Sequence, residues 1–146
     1  MATIKTRQDY YKKTAYFTPF NPNPSENSDK STKGDCVIRA FAIAADIDWL
    51  EAFDKLTAYA RETYNVPNDK NCYKVVFEQF GFLKRSVGVE KGKFRMTVED
   101  FCKTHPKGRY ILRIAHHLTA VVNGKVYDTW NTANKSIYYY WELCKK

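Results

Sequence analysis

The sequence predicts an α+β domain, with N-terminal helices followed by a C-terminal antiparallel sheet. Three observations carry this. Residues 35–105 hold apolar side chains at helical spacings. Residues 109–143 are rich in β-branched and aromatic residues, which is strand composition. Within the second region, Asn123-Gly124 is a strong signal for a two-residue type I′ hairpin turn. A chain of 146 residues fits one hydrophobic core, and 44% hydrophobic with 16% aromatic residues is enough to build it.

Residues 1–33 read differently from the rest. NPNPSENSDKSTKG is polar and rich in Pro, Asn and Ser, so this segment is expected to be an arm or loop before a single domain spanning 34–146. TAYFTPF, residues 14–20, is the exception; an edge strand there would tolerate Pro19. From Asp35 the text turns helical. Val37, Ile38, Phe41, Ile43, Ala44 and Ala45 make the first helix apolar almost all round, which predicts a central, buried position. Asp46-Ile47-Asp48 interrupts it, and Asp48 is a suitable N-cap for a second helix, WLEAFDKLTAYARETY. Leu50, Phe53, Leu56, Ala60 and Tyr64 would form its buried stripe. A third helix is expected over CYKVVFEQF, stopping at Gly81. A Gly- and Lys-containing loop follows. Thr97 then caps a short helix, VEDFCKTH, closed by Pro106-Lys107-Gly108. RYILRIA, HLTAVV, KVYDTW and SIYYYWEL are the predicted strands.

The hairpin turn fixes a register. Val122 faces Lys125, so Thr119 faces Asp128 and His117 faces Trp130. His117 and Asp128 then lie on one face as diagonal neighbours, roughly 7–8 Å apart at the backbone. The other face offers His116 opposite Asn131, a rival His–amide pair, and register leaves both open. Cys36 opens the buried helix. A thiol at a helix N-terminus beside an imidazolium ionises more easily than the usual value of about 8.5. Cys36, a strand histidine and a strand Asp or Asn therefore fit nucleophilic thiol chemistry, with the histidine as acid/base and the third group holding its tautomer. The competing interpretation is that Cys36 is a small core residue.

Helix-borne Cys, strand His and strand Asp or Asn, in that order, resembles the papain-like cysteine peptidases. GDCVIRA and HHLTAVVNGKVYDTWN also resemble short phage and bacterial proteins described as papain-like, over roughly residues 21–141. The resemblance implies a papain-like fold with Cys36 as nucleophile, His117 as general acid/base and Asp128 as orienting residue. It also implies an intracellular role, such as processing a phage or host protein in the host cytoplasm. Papain itself carries a Gln about six residues before its cysteine, as an oxyanion donor; here that position is Lys30. The Cys36 N–H is one donor, and Asn23, Asn27, Ser31 and Thr32 are candidates for the second.

Other signals have simpler explanations beside the functional ones. Cys102-Lys-Thr-His105 has the spacing of half a zinc site, which His116 and Cys144 would have to complete; a core cysteine next to a surface histidine needs no metal. Tyr138-Tyr139-Tyr140-Trp141 with nearby lysines could stack on single-stranded bases, or could simply pack a sheet on helices. Arg39 either pairs with Asp35 or helps hold a thiolate, and Trp130 either shields His117 from water or is ordinary core.

There are 24 Lys and Arg against 16 Asp and Glu, a net charge of +8 that suits a nucleic acid or acidic protein partner. The chain has no apolar leader and no apolar run near membrane-spanning length, and its four cysteines are not closely paired. The expectation is a soluble cytoplasmic protein with reduced thiols and no membrane partner. The leading function is a cysteine hydrolase acting on a protein or peptide amide bond, with no metal or organic cofactor implied. The alternative is an inert basic module of the same fold that binds nucleic acid or an acidic protein.

Overall fold

The structure is a computed structural model and describes residues 15–25, 34–88 and 95–144. Among the described residues it is an α+β arrangement of four helices and a six-stranded, mostly antiparallel sheet. The helices are α1 (Cys36–Ala45), α2 (Trp49–Glu62), α3 (Lys70–Phe80) and α4 (Val98–Thr104). The strands are β1 (Phe17–Pro19), β2 (Phe82–Ser86), β3 (Arg109–Ile114), β4 (His117–Val122), β5 (Lys125–Asp128) and β6 (Tyr139–Leu143). Their order across the sheet is β1-β5-β4-β3-β6-β2.

The sheet has a core on each face. On one, α1 packs between the sheet and the other two long helices, joining Phe41, Leu56, Tyr73 and Phe77 to Ile111, Leu118, Ala120 and Trp141. On the other, α4 and the chain before β6 bring Val98, Phe101, Cys102 and Ile137 against Phe17, Leu112, Val121 and Val126. A strand between two packed faces has no solvent side, which is why HLTAVV is buried along its whole length.

Most element ends follow local chemistry. Asp46 closes α1 in the left-handed conformation, with φ 58°. Arg109 holds that end, its Nη1 donating to the Ile43 carbonyl at 3.0 Å. Gly81, at φ 124°, closes α3. Thr97 and Asp100 form a capping box on α4. Asn123-Gly124 turns β4 into β5 with the expected register, pairing Val122 with Lys125, Val121 with Val126 and Ala120 with Tyr127.

Several expectations are corrected. The buried stripe of α2 is Ala52, Leu56 and Ala60, whereas Leu50 and Tyr64 are exposed. Helix α3 begins two residues before CYKVVFEQF, where the Asp69 carboxylate accepts from the Asn71 N–H at 2.7 Å. FLKRS forms β2, an edge strand paired with β6, where no strand is expected from the sequence. The expected edge strand at residues 14–20 is present as β1, and it runs parallel to β5. The segment after it also docks: the Phe20 N–H donates to the Asp128 carbonyl at 2.9 Å, and Asn23 is buried. Glu90–Lys93, within the predicted Gly- and Lys-containing loop, lie outside the described residues. No helix among the described residues is long and apolar enough to cross a membrane.

Candidate active site

The site forms where β4 and β5 part company beneath the N-terminus of α1. The β4–β5 ladder ends at Ala120–Tyr127. In a two-residue hairpin the residues flanking the turn exchange hydrogen bonds, so alternate residues of β4, namely Val122, Ala120 and Leu118, point their N–H groups toward β5. Beyond the last pair, the Leu118 N–H has no ladder partner on that side. It acts instead on the Cys36 sulfur, whose pKa it lowers.

Cys36 is the first residue of α1 and half-buried. Its N-cap, Asp35, makes no side-chain capping bond. The Asp35 carboxylate is directed elsewhere: Oδ2 accepts from Asn23 Nδ2 at 2.9 Å and Trp49 Nε1 at 3.1 Å, and Oδ1 accepts from Arg39 Nη1. Asn23 in turn accepts the Ser25 N–H on Oδ1. It is thus a strut on the residue before Cys36, its Nδ2 committed to the Asp35 carboxylate. Asn27, Ser31 and Thr32 lie outside the described residues.

His117 begins β4, and its Nε2 lies 2.7 Å from Asp128 Oδ2. That carboxyl oxygen also accepts from Thr119 Oγ1 at 2.7 Å, while Oδ1 accepts from the Thr129 N–H at 2.7 Å. With Nε2 engaged, the other ring nitrogen is left for the hydrogen bond His117 makes with Cys36. The Trp130 ring lies 5.0 Å from the His117 ring, tilted by 49°, and covers one side of it. Cys36, His117 and Asp128 are thus brought together as one cluster of thiol, imidazole and carboxylate.

His116 does not enter it. The β3–β4 hairpin turns on Ala115 and His116, since Ile114 pairs with His117, and His116 sits exposed at φ 54°. Asn131 is buried and accepts the Ala133 N–H on Oδ1 at 2.9 Å.

The electrostatics separate Cys36 from the other thiols. Burial alone would raise its pKa. The His117 hydrogen bond, the Leu118 N–H and the charges of His117 and Arg39 outweigh burial and bring it below its ordinary value. Cys72 is raised by burial and then by Asp69, and Cys102 is pushed up to about 12 by burial and then by Glu99. For His117, burial favours the neutral ring, but the hydrogen bonds and charges of Asp128 and Cys36 raise its pKa to about 9. Both shifts run in the direction of a thiolate–imidazolium pair.

The linkage signs follow. The His117 contribution to stability is full below its unfolded value near 6.5 and is lost as pH rises through about 9. The Cys36 contribution is full above its unfolded value and is lost as pH falls through its lowered folded value. Where the two windows overlap, below about 9, the two trends oppose each other. A ring titration followed by NMR is the direct check. His117 is expected to hold its proton to about pH 9, and a midpoint near 6.5 would contradict the ion pair.

Two grooves flank the Asn21–Pro24 segment. One, of 660 Å³, is lined by Asn23, Pro24, Gly34, Asp35, Phe53 and Val66 and opens beside the N-terminus of α1. The other, of 590 Å³, lies over Phe20, Pro22, Ile43, Arg109 and Tyr127. Trp49 contributes to both. The proposed half zinc site is not assembled: His105 stacks on Phe101 at 3.8 Å between ring centres, and the described residues hold no group of three or more His, Cys, Asp or Glu placed for a metal.

Sequence reasoning missed the hydroxyl and backbone donors at Asp128, the Leu118 N–H and the Trp49 contact to Asp35. Fold and site together define an α+β protein with a paired thiol and imidazole at a helix N-terminus. No protein-family model, curated protein or solved structure matches the chain.

Proposed function

We propose that the protein is a thiol hydrolase of papain-like type that cleaves an amide bond in a protein or peptide. The observation that carries this is His117 held by the buried Asp128 carboxylate, Nε2 to Oδ2 at 2.7 Å, while the same ring lowers the pKa of Cys36 at the start of α1. The Cys36 thiolate attacks the carbonyl carbon, forming an S–C bond and an oxyanion. The Cys36 N–H, in the first turn of α1 where helix N–H groups have no intrahelical partner, would donate to that oxyanion. His117 gives its proton to the leaving amine as the C–N bond breaks, leaving a thioester on Cys36. Water then attacks the thioester while His117 takes up its proton, and the S–C bond breaks to restore the thiolate. Asp128 holds the imidazole in one tautomer and supports its charge throughout.

The test is acyl transfer from an activated ester such as p-nitrophenyl acetate, with the labelled residue found by mass spectrometry. The expected result is a burst of product with the acyl group on Cys36, abolished by Cys36→Ser. An acyl group spread over surface lysines and Cys144, unaffected by that substitution, contradicts it.

A second proposal, a basic binding module, has its own observation. Lys84 lies 4.2 Å from the Tyr139 ring centre and Arg95 5.2 Å from that of Tyr138, which is exposed. Cations beside aromatic rings suit single-stranded nucleic acid. Salt-dependent binding of an oligonucleotide that survives Cys36→Ser, without any Cys36 reactivity, favours that interpretation.

A further inference from the structure

Arg39 is the one charged residue of α1 and is 7% exposed. A buried guanidinium is costly unless it is well paired, and this one is only partly so. Its Nη1 donates to Asp35 Oδ1, its Nη2 lies 3.8 Å from Asp128 Oδ1, and its Nε has no hydrogen-bond partner among the described residues. An Asp–Arg pair one turn apart serves as well on a helix surface. What the buried position adds is the second carboxylate, on β5.

The arrangement joins the two ends of the site. Asp35 precedes Cys36 and is fixed from three sides by Asn23, Trp49 and Arg39. Asp128 carries His117 and Thr119 on Oδ2 and the Thr129 N–H on Oδ1, the oxygen that faces Arg39. A carboxylate with a cation and an N–H on one oxygen keeps the other oxygen turned to its imidazole. We propose that Arg39 is a positioning residue, a fixed cation between Asp35 and Asp128 that holds Asp128 Oδ2 on His117 and sets the charge surrounding the Cys36 sulfur. This rests on the thiol-hydrolase proposal above.

The charges that act on that sulfur are those of His117 on β4 and Arg39 on its own helix; Arg39 is paired with Asp35, the residue before Cys36, and His117 with Asp128 on β5. Removing Arg39 leaves two buried carboxylates with one cation fewer, which disfavours the thiolate. Removing the charge of Asp35 does the reverse. The two halves of a single ion pair are therefore expected to move thiol reactivity in opposite directions. A purely structural pair would move it the same way for both, through loss of packing.

The experiment is alkylation of Cys36 by iodoacetamide against pH, in the wild type, Arg39→Met, Arg39→Lys and Asp35→Asn. On the acid side the rate follows the thiolate fraction, which falls roughly tenfold when the thiol pKa rises by one. Arg39→Met is expected to slow alkylation on the order of tenfold near pH 6, Asp35→Asn to speed it several-fold, and Arg39→Lys to stay within a few-fold of wild type. Should Arg39→Met not fold, Asp35→Asn and Arg39→Lys decide the matter. Wild-type reactivity with no change in the variants, or a slowing in both Arg39→Met and Asp35→Asn, overturns the Arg39 proposal alone. No fast reaction of Cys36 in the wild type overturns the hydrolase proposal and this one with it.

Discussion

Asp128→Ala is expected to destabilise the folded protein by about 3–5 kcal/mol, the usual cost of removing one partner from a buried charged pair. Asp128 is 4% exposed and holds together groups from four segments. It accepts from His117 and Thr119 on β4 and from the Thr129 N–H after β5, faces Arg39 on α1, and its own carbonyl takes the Phe20 N–H. Removing the carboxylate strands the imidazolium and leaves Arg39 with Asp35 alone, while the backbone bond to Phe20 survives. Urea unfolding at neutral pH measures the loss as a lower midpoint at unchanged slope. Asp128→Asn keeps the shape and an acceptor, so its cost should be smaller, yet His117 should titrate lower without the negative charge. A loss below about 1 kcal/mol in Asp128→Ala, the level of an exposed pair, would deny this carboxylate its central place.

His117→Ala should slow alkylation of Cys36 on the acid side, by roughly tenfold for each unit that the thiol pKa rises. Without the imidazolium, the largest influence lowering the thiol pKa is gone and burial raises it. A thiol at the ordinary value of about 8.5 is under about 1% thiolate at pH 6. Cys144, which is exposed, serves as an internal control whose rate should not change. His116→Ala is the matched control on the histidine side, since that ring sits exposed on a turn, and wild-type kinetics are expected. Equal effects of the two histidine substitutions would show that neither ring acts on the sulfur directly.

Much of this site is legible in the sequence because one dipeptide fixes so much. Asn123-Gly124 sets a register, the register places Thr119 opposite Asp128, and His117 follows as the diagonal neighbour on the same face. The choice between His116 and His117 is not legible. Ala115-His116 forms a two-residue turn without the Gly or Asn that normally marks one, so the strand text appears continuous through it. Strand β2 escapes for a related reason: only Phe82 in FLKRS is buried, so no alternation appears, and its partner β6 lies some 60 residues on, as in the Phe82–Leu143 pair. Leu50 and Tyr64 match helical spacing yet face solvent, because spacing defines a stripe but not which stripe faces the core. Arg39 is visible in the sequence as a charge inside an apolar helix. That its charge meets a second carboxylate on β5 depends on the packing of α1 over the sheet, which no local pattern encodes.

The most direct measurement is the alkylation rate of each cysteine in the folded protein, resolved by mass spectrometry from pH 5 to pH 9. Cys36 is predicted to outpace the exposed Cys144 on the acid side, and Cys72 and Cys102 to stay nearly inert because burial raises their pKa. If Cys36 reacts only on unfolding, or follows the pH profile of an ordinary thiol, it is a packing residue at the start of a buried helix and the hydrolase proposal is wrong.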